Sequence, residues 1–409
     1  MNRYSFITIS IFLSTIYSCA SVEPEIYTIE SDAVKEIDEN KIFVEFLDNE
    51  WEKTLNENPL FATYTGDKRS NNKIRSNSIE EFNLSKKSNL DSYEKLKNIN
   101  LNKLNDDNKL NYKLIEFELK NDIDANKFPT YFLRLNQRGG IQSFYETGNR
   151  LVYTSKQDYL DWLSRVEQFA DNIYNSYEIN KEGLQKGYTQ PKLVTQGVIS
   201  QIDGVINSDI ESNPYLKVFL EADTSILSDN EKKDLIINAK DIILNKINPA
   251  YEKLNEFLKN EYLPNSRNSI GIKDIPDGKK YYEYLSKKYT TTNLTPDEIH
   301  NIGLAEIKRI RSEMEEIIKE VNWDGDFDSF LNYLRTSPRF YYDNADDLFN
   351  AYLIMSKTID PLLPKLFKTF PRAPYGVIPI PAESAPFTTT AYYNSPSPGR
   401  PGDFYANLY

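Results

Sequence analysis

The sequence has very little histidine and cysteine, the side chains that most often carry zinc or nucleophilic chemistry. Its 409 residues include one histidine, His300, and one cysteine, Cys19. A zinc site made from these side chains needs several of them, so the chain cannot build one alone. A Ser-His-Asp triad would have to use His300, which lies beside Asp297 and Glu298 in the first turn of a predicted helix. We therefore expect His300 to have a structural role at that helix end.

The sequence also lacks an excess of basic residues. It contains 49 Lys and Arg against 61 Asp and Glu, which gives a net charge of −12. A protein that binds nucleic acid needs a basic surface to displace the counterions of the phosphates, so we expect no nucleic-acid partner. Aromatic residues are plentiful, with 29 Tyr and 21 Phe. This composition is typical of a globular chain with a large core.

The sequence has one long hydrophobic run, and it lies at the start of the chain. An apolar stretch from Tyr4 to Ile16 follows Arg3. As a helix it would cover only about 20 Å, which is too short to span a bilayer but suits a signal peptide. Directly after it, IYSCA at residues 16–20 resembles a bacterial lipobox, with an aliphatic residue three positions before Cys19 and a small residue immediately before it.

We predict a lipoprotein signal peptide at residues 1–18, a polar tether at 19–31 and a helical domain at 32–409. Cleavage before Cys19 and acylation of that residue would anchor the protein in a lipid bilayer. The domain would then lie in the cell envelope, on the periplasmic or extracellular side of a bacterial membrane. The alternative is an ordinary signal peptide that leaves Cys19 as a buried free thiol.

Hydrophobic periodicity predicts that the domain is mostly α-helical. Apolar residues from Val34 to Leu55 fall near one face of a helix that must end by Pro59. Residues 91–119 are predicted to be a surface helix or a helical pair, and residues 157–177 a long amphipathic helix.

Two capping boxes mark later helix starts. Ser228 and Glu231 form one, and Thr295 and Glu298 form the other, with Pro296 at the first helical position. The second helix is the clearest in the chain. We expect six of its apolar residues to form a buried stripe: Ile299, Ile302, Ile310, Met314, Ile317 and Val321.

Proline changes the prediction for the last segment. Ten of the 20 prolines lie in residues 361–409, and a helix tolerates proline only in its first turn. This segment is therefore predicted to be loop and short strand, with YGVIPIP, TTTAYYN and DFYANLY as the strands. We also expect the last of these to leave an unpaired edge. Four aromatic residues of the last two strands are expected to be exposed: Tyr392, Tyr393, Phe404 and Tyr405.

Two further patterns have ordinary explanations. RGG at residues 138–140 lacks the Lys-Ser/Thr of a phosphate-binding loop, so it is predicted to be a turn. Glu313, Glu315 and Glu316 are typical of a solvated helix face, although a pair of glycosidase carboxylates is an alternative.

Six stretches together resemble one known family. In order they are NPLFATYTGD, LRLNQRGGIQSF, GVISQI, YLPNSRNSIGIKDIPDGKKYYEYL, LTPDEIHNIGLAEIKRIRSEM and TTTAYYNSPSPGRPGDFYANLY. They look like the bacterial family called domain of unknown function 885, many members of which are secreted or lipid-anchored. The resemblance covers nearly all of the mature chain.

The resemblance implies a large helical fold similar to zinc peptidases of the thimet and carboxypeptidase Taq type, with a small hairpin or edge sheet near the C-terminus. In such families two histidines of an H-E-x-x-H helix hold zinc, and the glutamate between them activates a water. This sequence contains no H-E-x-x-H. We expect no catalytic residue, metal ligand or cofactor in this chain, and zinc only in a full-length relative.

The resulting hypothesis is an N-terminal part of a lipid-anchored protein similar to zinc peptidases, which is inactive alone because it lacks the metal site. It would be the product of a split or truncated gene, or of an incomplete gene model. The rivals are a non-catalytic envelope lipoprotein that binds a peptide or another ligand, and a structural envelope protein. A substrate-cleft wall is implied for five residues near the end: Tyr392, Tyr393, Arg400, Phe404 and Tyr405.

Overall fold

The computed structural model describes residues 38–380, 385, 389–396 and 401–409. The predicted signal peptide, the tether with Cys19, and Arg400 lie outside these residues. Fourteen α-helices occur in the described part of the chain: α1 Glu39–Glu57, α2 Pro59–Tyr64, α3 Ile79–Lys97, α4 Asp106–Ala125, α5 Tyr145–Arg150, α6 Lys156–Gln185, α7 Lys192–Ile206, α8 Lys217–Leu220, α9 Asp229–Ile242, α10 Asn248–Phe257, α11 Gly278–Thr290, α12 Pro296–Glu320, α13 Phe327–Thr336 and α14 Ala345–Ile359. The prediction of a mostly helical domain is confirmed.

The first helices form a small bundle with its own core. Asp38 caps α1, and the helix ends immediately before Pro59, as the sequence predicts. The segment at 91–119 is a helical pair, since α3 and α4 are joined by a short turn and pack together. Seven buried apolar residues of this bundle form one cluster: Phe43, Phe46, Leu96, Ile99, Leu104, Tyr112 and Leu119.

The main core surrounds α6, the longest helix. A capping box of Ser155 and Asp158 starts α6, which then continues for 30 residues. It packs against α9 and α10, and α10 in turn packs against α7. The sequence predicts the start of this helix to within one residue but ends it at Tyr177, well before Gln185, because the polar residues after Tyr177 weaken the periodic signal.

The segment from α9 to Tyr262 is a nearly continuous helix that contains two π-helical turns. The capping box of Ser228 and Glu231 starts it, as predicted. A π-helical turn at Ile243–Ile247 comes directly before Pro249, which has no N–H for the helical ladder. A second π-helical turn, Leu258–Tyr262, ends the segment.

The expected buried stripe of α12 is wrong. The predicted capping box and Pro296 are present, so the helix itself is as expected. However, Ile302, Ile310 and Val321 are about half exposed or more, and Ile318 is the one buried residue of α12. The neighbouring helices α11 and α13 contact α12, but neither covers its apolar side. Amphipathic periodicity indicates that a helix has an apolar face, and it does not indicate that another element covers that face.

The C-terminal segment forms the small sheet that the prolines predict. Its strands are β1 Tyr375–Pro379, β2 Ala391–Asn394 and β3 Gly402–Ala406. The order is β1-β3-β2, with β3 parallel to β1 and antiparallel to β2. The expected unpaired edge on the last strand is therefore wrong, because β3 is central and pairs on both sides.

The expected exposure of the strand aromatics is also largely wrong. The rings of Tyr392 and Tyr405 stack with their centroids 4.7 Å apart, and both side chains are half-buried. Phe404 packs against Tyr352 of α14 on the opposite face. Tyr393 is the one of the four that is exposed. Cross-strand pairing brings these rings together, which single-strand patterns do not reveal.

None of the helices in the described ranges is both long enough and apolar enough to cross a lipid bilayer.

Candidate functional site

A cleft of about 640 Å³ opens between the start of α2, the turn before α5 and the side of α6. Its size lies within the range of sites that bind small ligands or part of a peptide. The walls carry polar and apolar atoms in nearly equal measure. Two of the six stretches that carry the family resemblance, residues 58–67 and 133–144, supply much of its lining.

The buried Arg165 of α6 holds one wall of the cleft in place. Its Nη2 atom donates to the Pro59 carbonyl at 3.2 Å and to Thr63 Oγ1 at 2.7 Å. Its Nε atom donates to the Lys73 carbonyl at 2.9 Å, and Nη2 also reaches the Ser70 carbonyl at 3.3 Å. Burial lowers the pKa of Arg165 to about 10, so the guanidinium remains charged at neutral pH. One arginine therefore fixes α2 and the following loop against α6.

The RGG turn forms the opposite wall. Asn136 accepts a hydrogen bond at 2.9 Å from the backbone N–H of Arg138, which starts the turn. Gly139 has φ +133°, a backbone conformation that favours glycine. A Cβ at Gly140 would collide with the Asn136 carbonyl. The prediction of a turn is confirmed, and the turn places the Arg138 side chain at the cleft.

Two buried tyrosine hydroxyls support this wall from behind. Tyr251 donates to the Ile141 carbonyl at 2.8 Å, and the hydroxyls of Tyr215 and Tyr251 are 2.8 Å apart. Because the Tyr251 hydrogen is directed to Ile141, Tyr215 must be the donor between the two hydroxyls. Burial raises the pKa of both tyrosines, so both stay protonated. These two hydrogen bonds connect the main core to the wall of the cleft.

Aromatic rings form the floor of the cleft. Phe144 and Phe169 stack with centroids 4.0 Å apart and an interplanar angle of 10°. Phe144 also stacks on Trp162 at 5.2 Å. Gly148 of α5 lies against the Trp162 ring, where any Cβ would collide, so α5 can approach α6 closely. The floor is a flat apolar surface next to polar walls.

The charged residues that line the cleft are mostly positive. They are Arg75, Arg138, Arg150 and Glu146, a net of two positive charges from three arginines and one glutamate. The whole chain has a net charge of −12. A positive cleft in an acidic protein attracts anionic groups locally.

Four of the five residues predicted to form a cleft wall lie in the sheet, and the fifth, Arg400, lies outside the described residues. Tyr392 and Tyr405 share one face, and Tyr393 and Phe404 share the other. The cleft described above is lined by residues between Asn58 and Asn172. Burial and the neighbouring Tyr405 raise the pKa of Tyr392, and the Arg150 guanidinium opposes this rise.

Among the described residues, His300 and the acidic side chains do not come together in a metal site. The side chain of His300 is exposed in the first turns of α12. Within the described ranges no group of three or more His, Cys, Asp or Glu residues could hold a metal ion. Glu313 and Glu315 form ion pairs one helical turn away with Arg309 and Arg311, as a solvated helix face does.

Arg75, Arg138 and Arg150 were not identified as site residues from the sequence. Each is isolated along the chain, and only folding brings the three to one cleft. The signal that could have pointed to Arg138 is its position before two glycines, since such turns often present the preceding side chain to a ligand. For Arg75 and Arg150 the sequence offers no comparable signal.

Comparisons with known proteins agree with this architecture. The model of a family described as "Bacterial protein of unknown function (DUF885)" matches residues 59–409. No curated protein matches the chain.

Two solved structures share the fold. One is the crystal structure of a candidate lipoprotein from Colwellia psychrerythraea, with a TM-score of 0.80 and 22% sequence identity. The alignment covers 91% of this chain and 68% of that one. The other is a candidate lipoprotein of unknown function from Shewanella oneidensis, with a TM-score of 0.62 and 16% identity, covering 89% of this chain and 64% of that one. This chain therefore spans about two thirds of the length of each.

Proposed function

Since the chain belongs to the DUF885 family of bacterial proteins, we propose that it is the peptide-binding, N-terminal part of an envelope lipoprotein similar to zinc peptidases. The single observation that carries this proposal is the cleft, where two stretches typical of the family meet around an aromatic floor and polar walls. In full-length relatives, a zinc ion held by an H-E-x-x-H helix would supply an activated water for peptide hydrolysis.

The residues that the structure describes do not fit a zinc ion. The described residues contain no suitable group of ligands, and the one histidine is exposed on α12. No catalytic step through zinc is therefore assigned to this chain. Its proposed contribution is to bind and orient the peptide and to exclude water around it.

Two features support a larger assembly around this chain. The apolar face of α12 is uncovered, and the alignments cover only 68% and 64% of the two solved structures of the same fold. A large uncovered apolar face is typical of a surface that packs against further protein. The peptidase hypothesis accounts for both features, because it places the metal helix in protein outside this chain.

We expect the purified chain to hold no stoichiometric zinc and to cleave peptides no faster than background. Carboxylates alone bind zinc weakly, and open catalytic zinc sites use imidazole ligands. Elemental analysis and a peptide-cleavage assay test this. Co-expression with a fragment that carries the family's H-E-x-x-H motif should yield zinc-dependent cleavage. About one tightly held zinc per chain in the absence of the fragment would contradict the proposal.

A second candidate is a non-catalytic peptide-binding lipoprotein. It is favoured by the sheet, because β3 pairs on both sides and Ala406 is fully buried. If the chain binds peptides but the co-expressed fragment produces no cleavage, this candidate replaces the first.

Envelope anchoring through acylated Cys19 is part of the same proposal. Its support is the lipobox pattern and the description of the two solved structures as candidate lipoproteins. After expression in a bacterium, the wild-type chain should fractionate with membranes, whereas Cys19→Ser should be released or remain an uncleaved precursor. A mature wild-type mass without acyl groups would contradict this prediction.

A further inference from the structure

Of the three arginines in the cleft, two already have partners. Arg75 donates to Glu81 at 2.9 Å and to Asn58 Oδ1 at 2.9 Å. Arg150 pairs with Glu146 at 3.0 Å, one helical turn away on α5. Their charges are thus largely satisfied within the protein.

Arg138 is different. Its backbone N–H closes the turn with Asn136, but within the described ranges its guanidinium makes no ion pair or hydrogen bond with another residue. The turn itself is held by Gln142, whose Nε2 atom donates to the Asn136 carbonyl at 2.8 Å. The Arg138 side chain is exposed and its backbone is held in the turn, so the guanidinium can pair with an anionic ligand without rearrangement of the backbone.

Apolar side chains line the same cleft as this cation. Ile141 follows the RGG turn, and the stacked rings of Phe144 and Phe169 form the floor. Phe144 is half-buried and Phe169 lies beneath it, so an ion with no apolar part would leave the open side of Phe144 in contact with water. A ligand that joins a carboxylate to an apolar group matches both parts of the cleft.

We propose that Arg138 binds the C-terminal carboxylate of a peptide, with the peptide's last side chain, an apolar one, against Phe144 and Phe169. The guanidinium can donate two parallel hydrogen bonds to the two carboxylate oxygens. The inference rests on the proposed function, because it specifies which end of the peptide the cleft holds. It assigns recognition of the peptide's C-terminus to Arg138, which takes no part in bond cleavage.

Calorimetric titration of the full chain with three probes tests the inference. The probes are an alanine-rich pentapeptide ending in leucine with a free carboxylate, the same peptide with a C-terminal amide, and inorganic phosphate. We expect the free acid to bind about ten- to a hundredfold more tightly than the amide, since a charged hydrogen bond accounts for a factor of that size. Phosphate should bind much more weakly than the free acid, because it cannot contact the floor.

Arg138→Gln should remove the preference for the free acid, so that the acid then binds no more tightly than the amide. Arg138→Lys should restore part of the preference, because the charge remains but the paired hydrogen bonds do not. Arg309→Gln on α12 is the matched control, since Arg309 pairs with Glu306 and Glu313 far along the chain from the cleft residues. Circular dichroism verifies that each variant is folded.

The outcomes distinguish an error in the role of Arg138 from a failure of peptide binding. If the acid and the amide bind equally, or if Arg138→Gln retains the preference, the assignment of Arg138 is overturned but peptide binding stands. If phosphate binds as tightly as the free acid, the cleft is a general anion site and the assignment is again overturned. If no probe binds, both the inference and the proposed function fail.

Discussion

Replacing Arg165 by methionine is expected to lower the free energy of unfolding by about 3–5 kcal/mol. The side chain is 1% exposed, and its guanidinium donates to three backbone carbonyls and to Thr63 Oγ1. Methionine fills much of the space but donates no hydrogen bond, so these buried acceptors lose their partner. A change of this size in a chain of this length corresponds to a fall in Tm of about 4–6 °C.

Thermal and denaturant unfolding measure this effect, with Arg309→Met as the control. Arg309 is an exposed arginine that forms two ion pairs along α12. Exposed ion pairs contribute little, so the control should change stability by less than about 0.5 kcal/mol. A loss of under about 1 kcal/mol in Arg165→Met would show that water replaces the missing donor and that the clamp on α2 is not needed.

Tyr251→Phe is expected to destabilise the protein by about 2–4 kcal/mol. The substitution leaves two buried groups without partners, the Ile141 carbonyl and the Tyr215 hydroxyl. Tyr215→Phe removes only the hydroxyl that does not contact Ile141, and Tyr251 still donates to the Ile141 carbonyl. That variant should lose about 1 kcal/mol. The difference between the two single variants is measured by denaturant unfolding.

The double variant provides a stricter test of the hydrogen-bond chain. With both hydroxyls removed, the Tyr215 hydroxyl can no longer be an orphan. The double variant should therefore lose less stability than the sum of the two single losses. Strict additivity, or equal losses in the two single variants, would contradict the assigned direction of the bonds. Tyr251→Phe should also weaken peptide binding, since it releases the turn that carries Arg138 from the core.

Local signals in the sequence predicted local structure well. The capping boxes at Ser228 and Thr295 mark the observed starts of α9 and α12. The proline-rich segment contains the three strands. In each case the physical cause lies within a few neighbouring residues, either a side chain that satisfies free N–H groups or a proline that breaks the helical ladder.

What the sequence could not supply is the arrangement of distant segments. The partner of β3 on one side is β1, more than twenty residues earlier, and its parallel register cannot be read from alternation alone. Arg75, Arg138 and Arg150 meet at the cleft only after α2, α5 and α6 have packed. The predicted burial of the apolar stripe of α12 is wrong for the same reason, because burial depends on whether another element covers the helix face.

The order of strands in the small sheet has a consequence for synthesis on the ribosome. β1 and β2 emerge before β3, and each of them pairs with β3 rather than with the other. Until residues 402–406 have left the ribosome, the two earlier strands have no partner in this sheet. A nascent chain cut before Gly402 therefore contains two of the three strands and none of the pairing, so no part of this sheet can form before β3 is available.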